Sequence, residues 1–151
     1  MQETWITISN YPCASHGQET ATLNQVYFSQ GVGANNRHIY RGALYDQWWI
    51  YFDESCGNDH PPGWVVSNAE PHFDFSINLQ NSTSGCQNTM LIQEDSVFPF
   101  EHVQNHFYCD GDAWGNVWAQ SGHEVILTFN VGAEGTRHHK AYEFLCSELL
   151  T

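Results

Sequence analysis

The sequence predicts an all-β protein, an antiparallel β-sandwich or barrel of about ten short strands with one possible short C-terminal helix. Short runs rich in β-branched and aromatic residues recur along the chain, as the pleated surface of a sheet favours. Clusters of glycine, proline, asparagine and aspartate separate these runs. Many short strands between such turns are typical of sandwiches and barrels. With 151 residues and no linker-like stretch, we expect one domain spanning 1–151.

Each strand is predicted from the alternation of its side chains. Residues 4–9 alternate large apolar residues with hydroxyl residues, and residues 73–79 alternate apolar with polar residues in the same way. Adjacent Trp48 and Trp49 in one strand must point to opposite faces. In chain order, the predicted strands are 4–9, 25–29, 37–41, 47–52, 63–67, 73–79, 89–92, 107–109, 117–119 and 124–130.

Two assignments near the C-terminal end complete the prediction. The sequence Gly-Ala-Glu-Gly at 132–135 predicts a hairpin turn between the strand 124–130 and a return strand through Lys140. Residues 141–150 fit both types of element, since alternate residues are apolar and three leucines also follow a helical spacing. Strand and helix therefore both stay open for this segment.

The charge of the chain excludes whole classes of partner. Four Lys+Arg oppose 17 Asp+Glu, which gives a formal net charge of −13. A nucleic-acid binder needs many more cations to neutralise phosphates, and so does a protein that docks on an anionic membrane surface. No apolar run approaches the roughly 20 residues needed to span a bilayer. We expect neither nucleic acid nor membrane insertion.

Composition and cysteines favour an extracellular protein whose leader is absent from this chain. The first residues lack a basic region followed by a long apolar stretch, and the chain holds a single lysine. Five widely spaced cysteines fit long-range disulfides, of which Cys86–Cys109 is our first expectation, although the spacing leaves other pairings open. Two bridges and one remaining thiol are expected, and that thiol can link a homo-oligomer. One glycosylation sequon is present at 81–83, in a polar stretch.

Four aromatic segments between residues 23 and 68 carry a family resemblance. They are Leu-Asn-Gln-Val-Tyr at 23–27, Asn-Arg-His-Ile-Tyr at 36–40, Trp-Ile-Tyr-Phe at 49–52 and Gly-Trp-Val-Val-Ser at 63–67. Together they resemble a small aromatic-rich β-module of secreted and cell-surface proteins in algae and marine invertebrates. The chain departs from that pattern at Gln25, where glycine is usual, and at Arg37-His38, which replaces a proline. The resemblance implies an extracellular β-domain without catalytic residues.

Aromatic and acidic residues make the candidate ligand site. Exposed Trp and Tyr rings stack on the apolar face of a sugar, while acids and amides bond its hydroxyls. Two segments combine these groups: the strand and long loop around 48–64, and the turn 110–118. The alternative for each tryptophan is packing in the core of an aromatic-rich domain. The candidate residues are Trp48, Trp49, Tyr51, Asp53, Asp59, Trp64, Asp110, Asp112, Trp114 and Trp118.

Metal and catalytic chemistry have less support. Asp110 and Asp112 supply oxygen ligands of the kind calcium prefers, which makes calcium the one cofactor to consider, but an Asp-x-Asp turn is equally typical of a solvated loop. Nine histidines include the pair His102 and His106, and a metal site there needs a third ligand. No nucleophile elbow, phosphate-binding loop or dinucleotide fingerprint occurs, and nothing in the spacing selects a hydrolase's carboxylate pair. We expect no enzyme.

These observations predict a secreted carbohydrate-binding, lectin-like module that recognises a glycan or polysaccharide. A structural or assembly subunit of an extracellular matrix, coat or filament is the first alternative, because of the odd cysteine and the aromatic content. A carrier that holds a small hydrophobic ligand inside a barrel is the second.

Overall fold

The protein is an antiparallel β-sheet with a layer of loops on part of one face, as a computed structural model shows. The structure describes residues 4–9, 22–58, 60–88, 90–92, 95–97, 99, 124–131 and 135–143. Eight strands lie in one sheet in the order β6-β5-β4-β3-β2-β1-β7-β8. They are β1 (Thr4–Ser9), β2 (Val26–Val32), β3 (His38–Gly42), β4 (Trp49–Asp53), β5 (Gly63–Ser67), β6 (Met90–Ile92), β7 (Glu124–Val131) and β8 (Gly135–Glu143).

The topology is a meander to which a hairpin is added. Strands β1 to β6 follow one another across the sheet, while β7 pairs with the free side of β1 and β8 pairs with β7. The predicted hairpin through Lys140 is confirmed, since Leu127 of β7 pairs with Lys140 of β8. The all-β prediction is confirmed. Ten strands and a sandwich are not, because the described strands form a single sheet with β6 and β8 outermost.

One predicted strand is wrong, and its sequence explains the error. Residues 73–79 form no strand; the Leu79 carbonyl accepts a bond from the His72 amide at 2.8 Å, and Asn78 has a positive φ of 55°. The alternation is real but serves a loop, whose Phe73, Phe75 and Leu79 side chains pack onto the sheet. The predicted strands at 107–109 and 117–119 lie outside the described residues, as do positions 144–150 of the ambiguous C-terminal segment.

The first face of the sheet carries a core of aromatic and branched side chains. Ile6, Tyr27, Tyr40 and Trp64 are fully or almost fully buried there. Trp64 contacts the Tyr40 ring at 6.5 Å and the Phe52 ring at 5.7 Å between centroids. Tyr40 also bonds the Thr4 hydroxyl at 3.0 Å, which gives its buried phenol a partner.

On the second face, the loop layer of the described residues packs over β3 to β6. Its cluster of buried side chains joins the sheet to the loop 68–88, and Phe73 meets the Trp49 ring edge-on at 6.4 Å. The members of this cluster are Ile39, Trp49, Tyr51, Cys56, Val65, Leu79 and Leu91. Because both faces are covered there, all five residues of β4 and of β5 are buried, whereas β1 alternates between buried and half-buried positions.

A side-chain clamp fixes the connection between β3 and β4. The Gln25 carboxamide accepts bonds from the Leu44 and Tyr45 amides at 3.0 and 2.8 Å, and donates to the Tyr45 carbonyl at 2.9 Å. Gly42 sits under this clamp, where a Cβ atom would collide with the Gln25 amide nitrogen and the Tyr45 carbonyl. The glutamine at the position where the resembling module has glycine therefore has a structural role.

Candidate functional site

The aromatic residues selected from the sequence lie inside the protein. Trp48, Trp49, Tyr51 and Trp64 expose at most 4% of their surface. The Trp48 indole donates to the Thr22 hydroxyl at 2.6 Å, and the Trp64 indole donates to the Ser96 hydroxyl at 3.2 Å. The structure thus shows the core-packing alternative for these tryptophans. They offer no exposed ring to a ligand.

Asp53 is a buried structural acceptor at the end of β4. Its carboxylate accepts bonds from the backbone amides of Ser55 at 3.1 Å and of Asn78 and Leu79 at 2.8 Å each. Burial raises the pKa of this carboxyl group, although the three amide donors oppose that shift. The expectation that Asp53 is a surface residue of a binding loop is therefore wrong: its side chain is fully buried.

The disulfide is a second correction. Cys86 bonds to Cys56, with 5.1 Å between the Cα atoms, and not to Cys109. Cys56 lies in the 3₁₀ turn Cys56–Asn58 directly after β4, and the Gly57 amide in that turn donates to the Asn78 side chain at 3.0 Å. The bridge therefore joins the end of β4 to the loop layer. Sequence spacing could not select this pair, because the loop that brings the two cysteines together was predicted as a strand.

The remaining candidates lie outside the described residues and stay predictions. These are Asp59, Asp110, Asp112, Trp114, Trp118 and Cys109. The described residues contain no group of three or more His, Cys, Asp or Glu side chains able to hold a metal ion. The calcium proposal for Asp110 and Asp112 therefore has neither support nor contradiction in the described structure.

An aromatic strip on the uncovered part of the second face is a candidate that the sequence reading missed. Direct pairing in the sheet places Trp5 opposite Phe28, Phe28 opposite Arg41 and Arg41 opposite Trp49. Directly paired residues share a face, so these four side chains form one row across β1 to β4. The loop layer begins at Trp49. Trp5, Phe28 and Arg41, which we call the aromatic strip, lie beyond it.

The strip combines a half-buried ring and an exposed ring with a charged group. Trp5 is half-buried, and Phe28 exposes 41% of its surface. The Arg41 guanidinium lies 4.5 Å above the Trp49 ring and donates to the Asp46 carbonyl at 2.7 Å. The exposed Asp46 carboxylate lies 4.0 Å from the same guanidinium. Stacking on Trp49 and bonding to the β3–β4 connection fix the orientation of Arg41 beside the two rings.

A neighbouring row makes the strip wider. Thr7 of β1 pairs directly with Val26 of β2, and both residues are half-buried. Since side chains two positions apart in a strand share a face, Thr7 lies beside Trp5 and Val26 beside Phe28. The surface is therefore shallow and sheet-like, with aromatic, aliphatic and hydroxyl groups next to one cation. The alternation of residues 4–9 predicts a strand with two different faces, but it does not predict which of them lies beyond the loop layer.

A second surface feature is a polar groove on the loop layer. Its volume is about 410 Å³, and it is lined by Ala69, Gln80, Ser82, Ser84, Gly85, Cys86 and Gln87. The Gln80 side chain donates to the Tyr51 hydroxyl at 2.7 Å and to the Gln87 carbonyl at 2.6 Å, and accepts from the Gln87 amide at 2.8 Å. Its polar atoms are thus engaged within the protein, which makes the groove a weaker candidate than the strip.

No protein-family model, curated protein or solved structure matches this chain. The resemblance to the aromatic-rich module of secreted proteins consequently stays a prediction. No helix in the described part of the chain is long and apolar enough to cross a membrane.

Proposed function

We propose that this protein is an extracellular carbohydrate-binding module that takes a neutral polysaccharide on the aromatic strip. The observation that carries the proposal is the row Trp5–Phe28–Arg41, a half-buried and an exposed ring beside an oriented guanidinium on the part of the sheet face beyond the loop layer. Rings of this kind stack on the apolar C–H face of a sugar, and Arg41 and Asp46 donate to and accept from its hydroxyls.

Shape and charge select the class of glycan. A shallow row that crosses adjacent strands suits an extended chain rather than the end of a small sugar, which a deep pocket would enclose. The net charge of −13 repels anionic polysaccharides at a distance, and Arg41 already has the Asp46 carboxylate nearby. Neutral polysaccharides are therefore the expected ligands.

The Cys56–Cys86 disulfide supports the extracellular part of the proposal. Disulfides persist in oxidising compartments and are rare where thiols are kept reduced. The composition, with one lysine in 151 residues, points in the same direction.

The test compares the full chain with Phe28→Ala in binding to a panel of neutral and anionic polysaccharides. Binding is measured by tryptophan fluorescence and by pull-down on insoluble fibres. Loss of one stacking ring, worth about 0.5–1.5 kcal/mol, should weaken binding about twofold to tenfold. Ile77→Ala is the matched control, since Ile77 is 48% exposed but lies in the loop layer. Equal binding by Phe28→Ala and the parent, or no binding to any neutral polysaccharide, would refute the proposal.

The assembly alternative makes a different prediction for the same variant. Phe28, Val32, Leu44 and Tyr45 are all exposed apolar residues of β2 and of the β3–β4 connection. If they contact a second copy of the chain, Phe28→Ala changes the concentration dependence of the elution volume in size-exclusion chromatography. A parent chain that stays monomeric at all concentrations and binds a glycan favours the carbohydrate-binding proposal.

A further inference from the structure

The tip of the loop 80–87 carries the single sequon of the chain, Asn81-Ser82-Thr83. Asn81 and Thr83 are exposed, whereas Ser82 between them is half-buried. The two side chains that an asparagine-linked glycan requires, the amide and the hydroxyl two residues later, are therefore both on the solvent side.

The middle residue of the sequon anchors the loop. The Ser82 hydroxyl donates to the Gly85 carbonyl at 2.9 Å and accepts from the Ser84 amide at 3.3 Å. The Asn78 side chain donates to the Ser82 backbone carbonyl at 2.9 Å, and the Asn81 backbone N–H donates to the Asn78 backbone carbonyl at 2.8 Å. Only backbone groups of Asn81 enter these bonds, so a substituent on its side chain leaves them intact.

The base of the loop is closed independently of the sequon. Gln80 and Gln87 bond each other through the Gln80 side chain, and Cys86 is tied to Cys56. These bonds and the disulfide hold the two ends of the loop 80–87 together. The tip lies beside the groove, whose lining includes Ser82, Ser84 and Gln87. A sugar attached at Asn81 has polar neighbours there and displaces no apolar contact.

We propose that Asn81 carries an N-linked glycan in the mature protein. In the transfer step, the Asn81 side-chain nitrogen bonds to the anomeric carbon of an oligosaccharide carried on a lipid pyrophosphate. The bond from that carbon to the pyrophosphate oxygen breaks, the lipid pyrophosphate leaves with the bonding electrons, and the amide nitrogen loses one proton. No oxidant or reductant takes part. The proposal rests on the extracellular location proposed above, and not on whether the aromatic strip binds a glycan.

The experiment uses the chain secreted from eukaryotic cells behind a cleavable leader, with Thr83→Ala and Thr83→Ser as a matched pair. The parent and Thr83→Ser, which keeps the sequon hydroxyl, should both carry the additional mass of a glycan. A peptide:N-glycosidase, an amidase that converts the glycosylated asparagine to aspartate, should remove that mass. Thr83→Ala should lack it. Because Thr83 is exposed, the unglycosylated parent and Thr83→Ala should have the same urea midpoint.

Three outcomes decide the matter. A glycan on the parent and on Thr83→Ser but not on Thr83→Ala, with Asn81 converted to Asp by the amidase, supports the proposal. A parent secreted mainly with unmodified Asn81 overturns it. A glycan mass that persists on Thr83→Ala also overturns it, because the sugar then sits on another residue.

Discussion

At the scale of the residue, Asp53 shows how a carboxylate in a loop-rich sequence is used for structure. Three backbone amides from two separate segments converge on it, and two of them belong to the loop layer. Without this acceptor, those amides would be buried with no partner, which costs about 1–3 kcal/mol for each group. Asp53 therefore holds the middle of the loop layer, at Asn78 and Leu79, onto the end of β4.

We expect Asp53→Ala to lower the free energy of unfolding by about 3 kcal/mol or more, since several buried donors lose their acceptor together. Urea unfolding followed by fluorescence measures this loss. Glu54→Ala is the control, because Glu54 is an exposed neighbour and its removal should change stability by less than about 0.5 kcal/mol. A midpoint for Asp53→Ala equal to that of the control would contradict the assigned role.

A second residue makes stability depend on pH. Burial lowers the pKa of His38, whose Nδ1 atom lies 2.7 Å from the Ser29 hydroxyl. The unfolded chain then takes up a proton at His38 before the folded chain does. The stabilisation from neutral His38 is complete above the ordinary histidine pKa of about 6.5. It is lost as the pH falls from there through the lower pKa that His38 has in the folded protein.

The stability of the parent relative to His38→Gln should therefore fall between about pH 7 and pH 5. Thermal unfolding at a series of pH values measures both. An unchanged pH profile in His38→Gln would show that other groups control the acid sensitivity.

At the scale of the element, the sequence predicted those strands whose alternation or aromatic content is a direct result of sheet packing. Five strands, β1, β3, β5, β6 and β7, begin and end within a residue of the predicted bounds. The segment 73–79 was mistaken because a loop that packs apolar side chains onto a sheet produces the same alternation as a strand. The same error affected the predicted ligand site. Because no loop layer was expected, Trp48 and Trp49 could not both be assigned to the interior, and both were kept as candidate ligand-binding residues.

The disulfide acts on this loop layer. It closes a ring between residues 30 positions apart, and a ring of that size removes unfolded-state entropy worth about 3–4 kcal/mol. We expect Cys56→Ala/Cys86→Ala to lose about that much free energy of unfolding in urea. The parent under a reductant, which opens every bridge of the chain, should be no more stable than the double variant. A double variant as stable as the oxidised parent would show that the layer is held by Asp53 and apolar packing alone.

At the scale of the whole molecule, the dominant property is the charge of −13 with four Lys and Arg residues. Arg37 and Arg41 each lie beside an aspartate and above an aromatic ring. Most carboxylates therefore have no cation to pair with, and their mutual repulsion opposes the compact state.

Adding a monovalent salt should raise the Tm, with most of the gain below about 0.15 M, where the screening length falls to about 8 Å. Calorimetry with sodium chloride and with potassium chloride measures the effect, and the two salts should agree if screening is the cause. A Tm that does not change with ionic strength would show that the repulsion is already balanced in the folded chain.

The position of β1 has a consequence for how the chain is made. This strand precedes the other described strands in sequence, yet one of its two neighbours, β7, is more than a hundred residues away. While β2 to β6 add in turn on one side, the other side of β1 keeps unpaired amides and carbonyls until Glu124–Val131 is available. Such a nascent edge can recruit the same strand of a neighbouring chain, and long-range pairing of this kind is slow. We expect the yield of folded protein to fall when pairing of β7 with β1 is slowed.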